Sequence, residues 1–409
     1  MRNATIHTIH LLAALVLCLA MPSCTDEPHV GGQGISVALD LSACPEAAIS
    51  GVTISITADD GSYSTGRTFT DMKALAATLF RVPPGCYTVT ASTPSGIGGK
   101  ARTCVDAGDV RRVTIRMAEG GAEQPTLRLT VTLPGTDMPP YDGKTRSGEG
   151  LYTRRVVADV LTTDGGLRVM RRETVTDAAS GGTATIELPL DEGTYDVRLW
   201  SDYADADNGL PPFYDAADLQ QVTVNTPAYT ACTDYKDAAY ACVEGVAVSG
   251  GTTEKAVTLE RPLAKYRIVT KDIDRYKELE GVPPLEELTV SVSYEGYYPS
   301  SFNVATGKPN DAVEGVGYAN TPVWQAGAEG YAELASDWVL VNGAESSVRL
   351  TITITSDDGT VVSRTEGVSV PYRRGRLTTV SGNFLTSGYG GGGVDIDTGW
   401  GDDTFEVEF

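Results

Sequence analysis

The chain has 409 residues, 54 of them Asp or Glu against 32 Lys or Arg, for a formal net charge of −22 at pH 7. So acidic a surface opposes nucleic acid and anionic lipid, which both need a basic patch, and the length suits two or three domains of roughly 100–200 residues each. Its three histidines, His7, His10 and His29, all fall within the first thirty residues, so histidine-based nucleophilic catalysis and histidine-ligated catalytic zinc are close to excluded.

The N-terminus carries Arg2, an apolar run from Leu11 to Met21 and the small residue Ser23, the pattern of a secretory signal peptide over residues 1–23. That run is shorter than the roughly 20 apolar residues a membrane span needs. Cys24 follows at the point where the apolar run meets the polar, acidic stretch Thr25-Asp26-Glu27. This junction resembles the lipobox of bacterial lipoproteins, in the looser form found in Bacteroidetes, with Met21-Pro22-Ser23 ahead of the cysteine. The resemblance implies an acylated (palmitate-bearing) Cys24 at the mature N-terminus and a tether over residues 24–33, against the plain reading of an ordinary cleaved signal with an incidental cysteine. It also implies an outer-membrane anchor, and the pair Asp26-Glu27 resembles a signal for export to the cell surface.

Beyond the tether, short stretches alternate apolar and polar residues and are broken by Gly, Pro, Asn and Asp: VTISITADDG (Val52 to Gly61), TLRLTVTLPG (Thr126 to Gly135), LTVSVSYEG (Leu288 to Gly296) and VRLTITITSDDG (Val348 to Gly359). Such alternation predicts strands with one face in a core and the other in water. Asp60-Gly61, Asp164-Gly165 and Asp358-Gly359 predict hairpin turns. A helix is expected only as a short turn around DIDRYKELEG (Asp272 to Gly281).

One unit occurs twice. VTISITADDG is followed by ATLFRVPPGCYTVTAS (Ala77 to Ser92), and VVADVLTTDGG (Val156 to Gly166) by ATIELPLDEGTYDVRLWS (Ala184 to Ser201). In both, a strand ends in a Pro-containing turn, a Gly allows the reversal, and Tyr87 or Tyr195 opens the next strand. This unit resembles small transthyretin-like β-sandwiches. The expected fold class is therefore all-β, with tandem transthyretin-like Greek-key sandwiches. Linker composition divides the chain into an N-terminal sandwich over 34–116, a second over 126–265, a third over 266–387, and a Gly-rich linker with a terminal strand over 388–409. The segment VTLERPLAKYRIVTKDI (Val257 to Ile273) runs from the second sandwich into the third.

From Thr126 to Phe409 the order of elements is similar to that of the fimbrillin-like lipoproteins of Bacteroidetes, the superfamily of fimbrillin A and the major and minor fimbrial subunits. The residues that carry the likeness are GTYDVRLWSDY, FYDAADLQQVTV (Phe213 to Val224), ACTDYKDAAYACVEG, VTLERPLAKYRI and PYRRGRLTTVSGNFL (Pro371 to Leu385). The extra sandwich ahead of them is a departure from the two-domain pattern. The resemblance implies a part in pilus building, anchoring or adhesion, with other fimbrial subunits or a surface ligand as partners. It also implies assembly in which a protease cuts after an arginine to free the first strand, and a terminal strand of the next subunit fills the groove. Head-to-tail contacts of that kind do not close on themselves and grow fibres.

Arg146, in the Gly-rich and charged DGKTRSGEG, is the candidate cleavage site, against the plain reading of a loop arginine. Val394, Ile396, Trp400, Phe405, Val407 and Phe409 form the candidate donor strand, against a final strand packed on its own domain. Cys232 and Cys242 are close enough in sequence to close one loop by a disulfide, and buried thiols are the alternative. DYADADNG (Asp202 to Gly209) gathers carboxylates as calcium sites do, but its glycine comes one place early for an EF-hand and no glutamate follows. YEGYYPSSF (Tyr294 to Phe302), with Trp324 and Trp338, could stack on sugar rings or simply fill a core. A glycan-binding surface lipoprotein of a nutrient-uptake system is accordingly the alternative function. No catalytic pair of carboxylates in an apolar pocket is evident, and no catalytic residue, cofactor or metal site is expected.

Overall fold

The computed structural model describes residues 33–44, 51–119, 125–135, 151–163, 166–178, 181–324, 331–389, 393–398 and 404–408. The leader, Cys24, Arg146, the Asp164-Gly165 turn, Trp400 and Phe409 lie outside the described residues. The chain is all-β, in sheets that are largely antiparallel. Its one expected helical turn forms as Ile273–Lys277, and a second short helix, Met72–Ala76, starts where the Asp71 carboxylate accepts the Lys73 N–H.

One topology recurs three times. Each unit has a layer in which its first strand lies between an antiparallel neighbour and a parallel neighbour from later in the unit. In the first unit these strands are Leu79–Phe80, Gly34–Asp40 and Val110–Arg116. The second has Thr183–Pro189, Thr126–Thr132 and Thr252–Thr258, and the third Ala332–Leu340, Leu263–Thr270 and Leu377–Gly382. The facing layer is antiparallel throughout: Ser64–Phe69, Val52–Ala58, Gly85–Ser92 and Ile97–Val105 in the first unit. Arg168–Thr176, Tyr152–Thr162, Gly193–Asp205 and Ala239–Val248 form it in the second, and Gly317–Asn320, Leu288–Glu295, Glu345–Ser356 and Val361–Arg373 in the third.

Alternation does what the sequence predicts where one face meets water: Val52, Ile54, Ile56 and Ala58 enter the first core. The Gly-x-Tyr signature acquires a physical cause. Tyr87 folds back so that its hydroxyl donates to the Pro83 carbonyl at 2.6 Å, and Tyr195 does the same to Asp191 at 3.0 Å. A Cβ on Gly193 would stand 3.2 Å from the Tyr195 hydroxyl, so the residue two before the tyrosine must be small. The aromatic thereby closes the turn ahead of its own strand.

The Cys232–Cys242 disulfide is not made. The disulfide instead joins Cys86 to Cys104, register partners on neighbouring strands of the first unit. Cys242 lies opposite Arg198 inside the second unit, whereas Cys232 sits at the third, where its sulfur accepts the Ser336 N–H at 3.5 Å. The chain between the two cysteines thus leaves one layer for another.

Replacing Tyr195 by Phe should lower the unfolding free energy by about 1 kcal/mol, read as a shift in the urea midpoint; no shift would deny the turn-closing bond. Burial pushes the Tyr195 phenol up from 10.0 to about 12. A raised folded-state pKa means stability that is complete below the unfolded value and lost as pH rises through the folded one. Stability should therefore fall between about pH 10 and 12, and less steeply in the Phe variant.

Candidate functional site

Two features concentrate chemistry: the junction between the second and third units, and the C-terminal edge. The junction begins with a strand that alternation alone would misplace. Tyr152–Thr162 buries eight consecutive residues, Arg154 to Leu161. Its two faces meet different cores: Val156, Ala158 and Val160 pack in the second unit, while Val157 packs with the third. Neighbouring Gly193–Asp205 divides likewise, Val197 and Leu199 on one side and Trp200 on the other.

What covers the outer face is the excursion between Gly193–Asp205 and Ala239–Val248. Its Phe213, Tyr214, Leu219, Val222 and Val224 are buried in the core cluster of the third unit, and Val222–Val224 pairs with Tyr298–Asn303 to join both units in one small sheet. Arg155 and Asp159 share this covered face with Val157, Arg154 lies on the opposite face at the strand's start over the Tyr203 ring, and each of the three finds an opposite charge. Arg155 holds Asp202 at both oxygens, at 2.6 and 3.2 Å, and reaches Glu173 at 3.1 Å. Burial pulls the Arg155 guanidinium down, but Asp202 and Glu173 outweigh it, and its pKa is raised. Arg154 and Arg261 share Asp237, at 3.4 and 2.8 Å. Asp159 takes Arg171 at 3.0 Å, and Arg168 passes from Asp159 to Asp106 of the first unit at 3.0 Å. Ion pairs therefore run without a gap from the first unit to Asp202 of the second.

At the far side stands a tyrosine cage. Asp337, on the wholly buried strand Ala332–Leu340, accepts the hydroxyls of Tyr229 and Tyr294 and the ammonium of Lys236. Tyr266 and Tyr318 extend the network. Burial, followed by the nearby Asp337, raises the phenols of Tyr229 and Tyr294 well above their ordinary value. No sequence signal marked Lys236 and Asp337, which come together from opposite sides of the junction.

The aromatic stretch that could have stacked on sugar is mostly core: Tyr294, Tyr298, Phe302 and Trp338 are buried, and Tyr297 is the exposed member. In DYADADNG the Asp205 carboxylate accepts the N–H groups of Asp207 and Asn208 and so closes its own turn. Among the described residues, no three His, Cys, Asp or Glu are grouped to hold a metal ion, and no helix is long and apolar enough to cross a membrane.

At the C-terminal edge, Gly393–Asp397 adds antiparallel to Leu377–Gly382, and Thr404–Glu408 adds outside it. Val394 and Ile396 are buried in the third core.

The repeated, facing layers define an all-β protein of sandwich type. A family model, described as a family of unknown function (DUF6562), matches residues 119–408, and the chain belongs to that family. Among solved structures it is similar to a candidate adhesin from Bacteroides ovatus, with 12% identity, a TM-score of 0.39, and coverage of 69% of this chain and 95% of that one. It is also similar to a candidate polysaccharide-binding protein (DUF1812) from Bacteroides thetaiotaomicron, with 11% identity, a TM-score of 0.43, and coverage of 69% and 98%. The fimbrial anchor protein Mfa2 from Porphyromonas gingivalis is a third, with 10% identity, a TM-score of 0.36, and coverage of 67% and 98%. No curated protein sequence matches the chain.

Replacing Arg155 by Met would leave the Asp202 charge buried and should cost about 3–5 kcal/mol. The double variant Arg155→Met/Asp202→Leu should recover at least half of that in chemical denaturation; an additive double would deny the coupling. Replacing Ile396 by Ala should cost about 2–5 kcal/mol if Gly393–Asp397 stays packed on its own unit in solution. An unchanged denaturation midpoint would mean that the strand spends its time elsewhere.

Proposed function

We propose that this chain is a non-enzymatic surface lipoprotein, anchored to the outer membrane through Cys24, that serves a fimbria as subunit, anchor or adhesin. The observation that carries the reading is the position of Thr126–Thr132. It is the middle strand of its layer, bonded on both sides, with Leu127, Leu129 and Val131 buried. The segment that leads from it to Tyr152 contains Arg146.

A cut after Arg146 would separate this strand from the rest of its sandwich. Its release would open two hydrogen-bonding edges over an apolar groove, which an extended strand from another subunit could fill. The same cut would remove the first sandwich together with the lipid, so a cut chain is a polymerising subunit and an uncut one is a tethered anchor or adhesin. The terminal segment, including Val394 and Ile396, is the strand such a subunit would donate. The order of elements that resembles fimbrillin-like lipoproteins supports the same reading.

The test is the N-terminal residue of the mature protein, by mass spectrometry of peptides from surface fractions of its native cells. A chain that begins at acylated Cys24 identifies the tethered form, and one that begins at Ser147 the processed form. A start at an unacylated residue elsewhere in the leader region would overturn the lipoprotein reading.

A further inference from the structure

Lys236 and Asp337 are 2% and 1% exposed, and Lys236 Nζ stands 2.7 Å from Asp337 Oδ1. Lys236 ends the single turn Asp234–Lys236 in the excursion of the second unit, and Asp337 lies on Ala332–Leu340 of the third. The Trp338 backbone N–H donates to the same Oδ1 at 2.8 Å. The other oxygen, Oδ2, receives the hydroxyls of Tyr229 and Tyr294, the latter at 2.6 Å. The Tyr229 ring closes the remaining side, 3.8 Å from Nζ. Burial pulls the Lys236 ammonium below its ordinary value, and the adjacent Asp337 opposes that shift.

We propose that Lys236 and Asp337 join through a side-chain amide, an isopeptide bond that staples the second sandwich to the third. A proton first passes from the ammonium to Oδ1, the oxygen it touches, leaving a neutral amine beside a carboxylic acid. The Nζ lone pair then attacks Cγ, and the charge that develops on Oδ2 faces the hydroxyls of Tyr229 and Tyr294, as in an oxyanion hole. The Cγ–Oδ1 bond breaks, and Oδ1 leaves as water with a second proton from Nζ. One C–N bond forms, one C–O bond breaks, and no oxidant or reductant is needed.

Two physical terms drive the condensation. The fold holds nucleophile and electrophile in contact in a site closed to bulk water, which replaces a bimolecular encounter. The product exchanges two desolvated charges, costly to bury even when paired, for a neutral amide. Other pairs lack one condition or the other. Lys265 meets Asp234 at 2.6 Å, but that carboxylate is 42% exposed, and Lys271 and Asp395 are both open to solvent. The buried arginines stay protonated and are poor nucleophiles. Among the ion pairs of the described residues, Lys236–Asp337 is the lysine–carboxylate pair with both partners enclosed.

The intact mass of the purified full-length protein, measured unfolded and with its disulfide reduced, should be one water lighter than its sequence requires. Trypsin should not cut after Lys236, and a branched peptide should join the segment containing Lys236 to the one containing Asp337. Tyr294→Phe, which removes one donor to the developing charge on Oδ2, should slow formation of the link about 100-fold, followed as the fraction of unlinked mass over time after synthesis. Lys236→Arg and Asp337→Ala should each restore the full mass, but the decisive reading is on the wild-type chain and does not require these variants to fold. A wild-type protein of full mass after prolonged incubation, cut by trypsin after Lys236, would overturn the proposal and leave a plain ion pair.

Discussion

The rest of the molecule depends on one constraint: the Tyr152–Thr162 strand and its neighbour Gly193–Asp205 are covered on both faces. A sheet with one wet face can alternate, but a sheet walled in on both sides has nowhere to put its polar side chains except against partners. Here the inner face is largely aliphatic, and the outer face mixes Trp200 and Val157 with Arg155, Asp159 and Asp202. The long excursion and the sheet shared with the third unit both serve that outer face. Removing the excursion would expose unsatisfied charge and aromatic surface together.

Buried ion pairs of this sort add little net stability, because the desolvation cost cancels most of the attraction. Their value lies in selectivity among arrangements. Apolar surfaces can slide over one another at small cost, whereas Arg155 fits Asp202 with both oxygens engaged in only one register. The run from Asp106 through Arg168, Asp159, Arg171 and Glu173 to Arg155 therefore sets the register of the second unit's own strands and reaches the first unit through the Arg168–Asp106 pair.

The legible part of the fold was local. Val52–Ala58 and Leu288–Glu295 show their alternation in the burial pattern itself, and the Pro-turn with Gly-x-Tyr pointed to a repeated unit because one phenol and one carbonyl four residues apart make the turn. What lay beyond the sequence is what depends on distant partners. Tyr152–Thr162 reads as a strand, but nothing in YTRRVVADVLT says that its arginines face inward. Proximity in sequence suggested Cys232 with Cys242, yet strand register put Cys86 beside Cys104, and register is set by the whole sheet. The aromatic run around Tyr294 fitted a sugar platform as well as a core, and only packing from the excursion decides between them. Lys236 and Asp337 carry no signal at all, since neither has a recognisable neighbour until two units meet.

The three layers that carry the parallel pair also differ at their outer edges. In the first two units the last strand forms an outer edge, and both edges carry charge: Arg111, Arg112 and Arg116 on Val110–Arg116, Glu254 and Lys255 on Thr252–Thr258. Charged side chains on an edge discourage further strands from pairing with it. The corresponding strand of the third unit, LTTVSG over Leu377–Gly382, has no charge, and an uncharged edge invites a partner. That partner is the C-terminal segment, whose Val394 and Ile396 complete the core while Asp395 and Asp397 alternate with them. The composition of each edge thus matches its fate: the charged edges stand open, and the neutral one is covered by the strand that follows it. A tail held at such an edge by one pair of strands and two buried side chains is the element of the third unit that could be exchanged at least cost to the remainder of the core.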